Sequence, residues 1–563
     1  MNMFAVVILL ACGSESPSES TNDDPSTTPV DSATPASDDS TMTAVDTGPP
    51  TDSVRDTATI PPCDPLPPGT LHDQVLMHAG KERIYTLHVP EGLDCHAPVL
   101  VDLHGAYGGP DPEKAYVLDE ALAAADDLGF VLLRPRGLPL QRYGQQWYYW
   151  NVANELAENA DFLDALAQTV ASDGPRWVMG YSSGADLTGW MLSRHRGWDA
   201  YGLVAGASWS THTWEAFGGD GPPLYTAMGS RDDLASHDTM LAELDDAEHP
   251  RDQRFIDTGA GGHRLDRIHY ERAIPWFRDG SRPVRAPTSP GWTSTPVSDA
   301  PLLAIDPTSV EGSLRLADAV GNIWVDGAAI ARGNGPINAV CGDLAAGFGL
   351  LRPLPSGGAL PIGAIGYAYA HHLACTDGEA LAVGADVYTS ADGGLSWEVA
   401  ERGSAAYGEW YGVAVTAETA AAVGQYNRIA VRRVDGAETS WHDTVITPFQ
   451  ERWLYGVAID PVADPATGQQ TVWAVGEDGW VGRSLDDDRF VEVTRLGDLP
   501  LYAVAAHDGR VAVAGHDGGV WVSDDGETFS AYPIDTGAVT ALSFADGELL
   551  ATGSDGAVWR RPL

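Results

Sequence analysis

Lysine is nearly absent from this chain. Lys81 and Lys114 are the only two in 563 residues, and arginine supplies the rest of the positive charge. Against 79 Asp and Glu, the 33 Lys and Arg leave a net charge of −46. So strong an acidic excess argues against nucleic acid and anionic membrane surfaces as partners. Its plain reading is a solvated acidic coat. Long apolar runs are missing too: the one inside Met1–Cys12 (MNMFAVVILLAC) is too short to span a bilayer. Cysteine is scarce, with five residues and no Cys-x-x-Cys pattern, so nothing suggests a metal site. What is plentiful is apolar residues, at 44%, and Trp, with 18. The length is too great for one compact core and predicts at least two domains.

The N-terminal run ends in Leu9-Leu10-Ala11-Cys12. This resembles a bacterial lipoprotein signal with a lipobox, which implies residues 1–12 as signal and Cys12 as the lipidated residue of an exported, envelope-anchored protein. Residues 13–62 are rich in Ser, Thr, Pro and Asp and nearly empty of apolar side chains. They cannot bury a core, so a disordered tether is expected. With Cys12 lipidated, Cys63, Cys95, Cys341 and Cys375 remain. An even number in an exported protein predicts disulfides, and four cysteines allow three pairings. Domain locality favours Cys63–Cys95 and Cys341–Cys375.

Residues 63–282 alternate strand-like and helix-like runs. Glu82–Val89 alternates apolar and polar. Pro98–Leu103, Phe130–Leu133, Leu203–Ala207 and Leu224–Met228 are short apolar runs, with helical patterns at Leu118–Ala125 and Ala160–Val170. Such alternation predicts a mostly parallel sheet covered on both faces. Within it stands Trp177-Val-Met-Gly180-Tyr181-Ser182-Ser183-Gly184-Ala185, followed by a helical face of Leu187, Trp190, Met191 and Leu192. Strand, glycine turn, serine and helix form the context of a nucleophile elbow around G-x-S-x-G. Partners follow in the chain order Ser, acid, His. Gly229-Ser-Arg-Asp232-Asp233 supplies the acid, with Asp232 preferred and Asp233 as the alternative. His263, behind the glycine-rich Gly259-Ala-Gly-Gly262, supplies the base, while His269 is expected at the surface. The oxyanion donors are expected from the backbone of Ser183 and from the turn His104-Gly105-Ala106-Tyr107-Gly108-Gly109, with Ala106 first and Gly105 next. His104 is expected to brace that loop. Trp147, Tyr148, Tyr149 and Trp150 suit either an aromatic acyl pocket or core packing.

The motifs LHGAYGG, WNVANELAENADFL, WVMGYSSGADL, AMGSRDD and GAGGH, together with RIYTLHVPEG, resemble the esterase family that includes polyhydroxybutyrate depolymerases and feruloyl esterases. The resemblance covers about residues 63–280. It implies an α/β-hydrolase fold and carboxylic ester hydrolysis through an acyl-serine, with catalytic Ser182, Asp232 and His263 and no metal or organic cofactor. Two departures bear on substrate choice: Ser183-Gly184-Ala185 after the nucleophile, and Tyr107 in the His-Gly loop.

A Pro, Ser and Thr-rich stretch, 283–300, reads as a linker. In 301–563 a repeat appears: Ala382-Val-Gly384, Ala422-Val-Gly424, Ala474-Val-Gly476, Val513-Ala-Gly515 and Ala551-Thr-Gly553. A period of about forty residues with several short strands predicts an all-β propeller of six or seven blades. Ser390-Ala-Asp392-Gly-Gly-Leu-Ser396-Trp397 resembles the Asp-box of sialidase-like and sortilin-like propellers. Ser523–Phe529 is a shorter copy and Ser484–Phe490 a decayed one. The resemblance implies a structural turn, not a second active site. The propeller is expected to recognise a substrate or a partner, whether glycan, polymer or protein. Two functions stand at this point: a tethered serine esterase, or an inactive hydrolase scaffold whose propeller serves binding or adhesion. The residues alone do not separate ester from amide hydrolysis.

Overall fold

The computed structural model describes residues 65–108, 118–142, 145–150, 155–206, 213–229, 232, 234–259, 263–306, 313–332, 336–347, 349–351, 370–401, 409–433, 441–443, 445–447, 452–465, 467–485 and 489–563. The lipobox with Cys12, the tether, Cys63 and Asp233 therefore lie outside the described residues. The remainder from residue 64 onward forms one compact unit.

Its first part is built on a sheet of eight strands. These are β1 (Gly69–His78), β2 (Lys81–Val89), β3 (Val99–Leu103), β5 (Val131–Pro135), β8 (Arg176–Tyr181), β9 (Ala200–Val204), β10 (Leu224–Gly229) and β11 (Arg254–Gly259). The order is β1-β2-β5-β3-β8-β9-β10-β11. From β5 to β11 all neighbours are parallel, whereas β1 and β2 run antiparallel to theirs. A small separate sheet joins β4 (Tyr107–Gly108), β7 (Gln145–Tyr149) and β6 (Leu138–Arg142).

The mainly apolar strands β3, β5 and β9 are buried on both faces, with Asp102 of β3 and Arg134 of β5 paired at 3.5 Å. Val101 and Leu103 point to one side, where α2 (Leu156–Ala167), α3 (Ser183–Ser193) and α4 (Leu234–Asp246) supply Phe162, Leu187 and Met240. Leu100 and Leu132 point to the other, where α1 (Leu118–Leu128) and α5 (Arg267–Asp279) supply Ala121, Tyr270 and Phe277. A period of two in the strand thus feeds two separate helix layers.

The second part is a β-propeller. The innermost strands Leu302–Ile305, Ile337–Cys341, His372–Cys375, Trp410–Val415, Leu454–Ala463, Leu501–His507 and Val539–Ala545 contact one another in a closed ring. Each belongs to its own antiparallel sheet. Six of these sheets hold four or more strands, and the one begun by Ile337–Cys341 has three among the described residues. The Ala-Val-Gly repeat has a packing cause. A Cβ on Gly424 would lie 2.3 Å from the Glu409 carbonyl oxygen, on Gly476 2.3 Å from that of Trp453, and on Gly515 2.1 Å from that of Pro500. Each glycine ends a second strand where it crosses the chain entering the first, and no side chain fits there.

The stretch expected as linker is partly sheet. Thr293–Pro296 pairs with the C-terminal strand Ala557–Pro562 and closes the ring. Before it, Trp292 is buried and donates to the Tyr532 carbonyl at 3.0 Å. β-branched Thr293 and Thr295 suit an edge strand, and the composition concealed this. Cys341 and Cys375 form a disulfide with Cα atoms 5.9 Å apart, joining two adjacent inner strands. Cys95 is also disulfide-bonded.

Candidate active site

β8 delivers Ser182 to the end of the parallel sheet, and α3 carries the chain away. Between them Ser182 has φ 52° and ψ −116°, a strained conformation for a residue with a Cβ. The glycines around it permit the turn. A Cβ on Gly180 would lie 2.2 Å from the Gly184 backbone, and one on Gly184 2.5 Å from the Leu103 carbonyl oxygen.

Three side chains meet there. His263 Nε2 lies 2.8 Å from Ser182 Oγ, and His263 Nδ1 lies 2.8 Å from Asp232 Oδ2. Asp232 follows the end of β10 and His263 precedes α5, so one edge of the sheet gathers all three. Tyr181 holds the histidine in place by donating its hydroxyl to the His263 carbonyl at 2.8 Å. Desolvation opposes a charge on the His263 ring, but the Asp232 carboxylate outweighs it, and the imidazole pKa is raised above 6.5. The ring still has about half its side-chain surface, 49%, open to solvent, so a small molecule can reach it.

The loop after β3 passes beside the serine: a Cβ on Gly105 would come within 3.1 Å of Ser182 Cβ. Ala106 is the next residue, and Ser183 opens α3, where a first-turn N–H has no acceptor within its own helix. His104 is buried and braces this loop. Gly137 N–H donates to its Nε2 at 2.8 Å, so the proton sits on Nδ1, which donates to the Gly105 carbonyl at 2.6 Å. Burial pushes its pKa down to about 3, so it stays neutral.

Other residues sit differently from expectation. Of the aromatic four, Tyr148, Tyr149 and Trp150 are buried, and Trp150 packs on His104 with ring centres 5.1 Å apart. They pack behind the loop after β3 more than they line a pocket. His269 is not a surface residue: it is half-buried, and its Nδ1 accepts from Asp266 N–H at 2.9 Å in a capping box at the start of α5. Cys95, His96 and Asp173 come within metal-ligand spacing, yet the disulfide removes the Cys95 thiolate.

Sequence reasoning missed the residues that the propeller brings near the site. Glu409, just before an inner strand, accepts from His371 Nε2–H across 2.8 Å and adds to the negative potential at His263. Arg264, next to His263, pairs with Asp266 at 2.9 Å and with Glu477 of the propeller. The periodicities that reveal strands carry no signal for such contacts. The propeller's own axial channel is a cavity of about 350 Å³ lined by residues such as His372, Tyr455 and Phe544.

The Asp-box expectations can be compared atom by atom. Asp392 accepts from Ser390 Oγ at 2.8 Å, Ser396 N at 2.9 Å and Ser396 Oγ at 2.6 Å. Asp525 accepts from Ser523 Oγ, Glu527 N and Thr528 N at 2.7 to 2.9 Å. Both carboxylates tie hairpin turns.

No protein-family model matches the chain, and no curated protein does. Among solved structures it is similar to the WD40 propeller domain of Doa1, at 14% identity, covering 48% of this chain and 97% of that one with a TM-score of 0.38. It is similar to YCF48 from Cyanidioschyzon merolae, at 16% identity over 48% and 98% of the two chains, TM-score 0.37. It is also similar to a Bacillus cereus carboxylesterase, at 20% identity over 35% and 95%, TM-score 0.29.

Proposed function

We propose that this chain is a serine hydrolase of carboxylic esters, working through an acyl-serine on an α/β-hydrolase domain at 63–282. The observation that carries the reading is the hydrogen-bonded series Ser182–His263–Asp232, with its serine on a strained strand-to-helix turn. Ser182 Oγ attacks the ester carbonyl carbon while His263 Nε2 takes the hydroxyl proton. The tetrahedral oxygen is held by the N–H groups of Ser183 and of Ala106 or Gly105. The C–O bond then breaks, and Nε2–H protonates the departing alcohol. Water repeats the sequence on the acyl-serine and releases the acid. Asp232 keeps the ring oriented and favours its charged form throughout.

The same reading includes export with lipid at Cys12, and a propeller that recognises substrate or partner. The acyl group is of feruloyl, acetyl or polyester type. The test is hydrolysis of p-nitrophenyl acetate and methyl ferulate by the protein and by Ser182→Ala. Activity lost with the serine supports the reading, and the ratio of the two rates reports the acyl preference. Equal rates in both proteins, or no hydrolysis by the folded protein, overturn it in favour of a binding scaffold.

A further inference from the structure

The catalytic histidine follows Gly259-Ala-Gly-Gly262 in the sequence. Glycine stretches lose more conformational freedom on ordering than other residues, so this segment cannot by itself hold an imidazole in place. General-base catalysis needs that ring held to a fraction of an ångström. Something else must fix it. One anchor is the Tyr181 hydroxyl on the His263 carbonyl. A second is the Asp232 carboxylate on the ring itself, and further ones lie on the propeller.

Arg264 leaves the hydrolase part immediately after His263. Its guanidinium carbon stands 4.2 Å from the centre of the Trp453 ring, and its ion pair with Glu477 lies beside that stack. Glu477 and Trp453 are themselves locked together: the Trp453 N–H donates to Glu477 Oε2 at 2.8 Å, and the Glu477 N–H to the Trp453 carbonyl at 3.1 Å. Trp453 rests on Tyr411, with ring centres 5.6 Å apart. Arg264 is mostly buried, and the Asp266 carboxylate keeps it charged against the cost of burial. A second clamp brackets the same segment. Arg272 on α5 bonds Asp257 on β11 and Asp517 of the propeller, each at 2.5 Å. The helix after the His263 loop is thus tied both to the strand before that loop and to a propeller residue.

We propose that the propeller is a working part of the catalytic centre: Trp453 and Glu477 seat Arg264, a positioning residue that holds His263 at bonding distance from Ser182 and Asp232. This assigns the propeller a role besides recognition. Its kinetic consequence rests on the ester-hydrolase reading, while its structural consequence does not.

The test uses the full chain and the variants Glu477→Ala, Glu477→Gln, Trp453→Ala and Trp453→Phe, each checked for an unchanged thermal transition. Two quantities are read. The first is the low-field proton resonance of His263 Nδ1–H, assigned by its loss in His263→Ala. The second is kcat and KM for p-nitrophenyl acetate. Glu477→Ala and Trp453→Ala broaden or shift the resonance and lower kcat by about 10²-fold with little change in KM. Trp453→Phe, which keeps a ring face for the guanidinium, restores both. If Trp453→Ala destabilises the chain, Glu477→Gln, which keeps shape and removes charge, carries the test. Folded variants with the wild-type resonance and wild-type kcat overturn the proposal and leave the esterase reading intact. A resonance that responds in a protein that hydrolyses no ester supports the positioning role and removes the esterase reading.

Discussion

At the residue scale the site depends on one carboxylate acting through one imidazole. Asp232 raises the His263 pKa above 6.5 against desolvation. On the proposed mechanism neutral His263 accepts the Ser182 proton, so kcat/KM is expected to rise with pH through that raised pKa. Asp232→Asn removes the charge that raises it. The expected outcome is an acid limb displaced to lower pH and a kcat lower by roughly 10³ to 10⁴-fold, read from pH–rate profiles of the two proteins. A limb that stays in place means that Asp232 does not face the histidine in solution. That Ser182, Asp232 and His263 meet was legible in the sequence because the G-x-S-x-G turn calls for an acid and a histidine in a known chain order. Arg264, Trp453, Glu477 and Glu409 were not, because their contacts arise where parts of the chain distant in sequence touch, and no spacing along the chain records that.

At the element scale, turns and closing strands decide how much the pattern reveals. The strand Arg176–Tyr181 and the helix Ser183–Ser193 fall where the apolar spacing predicts them. At Gly424, Gly476 and Gly515 the signature marks the end of a second strand because a backbone crossing forbids a Cβ. Where Arg315–Asp318 ends a second strand, Asp318 stands in the glycine's place, and the signature is lost. Its buried carboxylate accepts instead from Ser298 Oγ, Asn322 N and Trp324 Nε1 at 2.8 to 2.9 Å. The Asp-box carboxylates behave alike, and hydrogen bonds to Ser396 and Ser390 bring the Asp392 pKa down to about 2. A depressed folded-state pKa stabilises the turn above the ordinary carboxylate value and loses that contribution as pH falls through about 2. Wild type is therefore expected to unfold at a higher denaturant midpoint than Asp392→Ala at about pH 5, with the difference gone at about pH 2. The same gap at both values excludes the carboxylate as its cause.

At the scale of the whole molecule, the chain from residue 64 onward folds as one unit, and the segment 283–300 belongs to it. Trp292 is buried among Val539, Leu549 and Trp559, whereas Val284, in the same segment, is 98% exposed. Trp292→Ala is expected to cost about 3 kcal/mol or more in denaturant unfolding, and Val284→Ala within about 0.5 kcal/mol. Equal, small effects would mean that the segment is a free linker in solution. Arg264 and Arg272 tie the propeller to the segments on either side of His263. The functional reading rests on Ser182 being the nucleophile. The most direct measurement is the mass of the intact protein, and of its peptides, after treatment with a fluorophosphonate. A single adduct on the peptide carrying Ser182, absent in Ser182→Ala and slowed by orders of magnitude in His263→Ala, is the predicted result. No adduct, or an adduct that persists without His263 at the wild-type rate, would contradict the account.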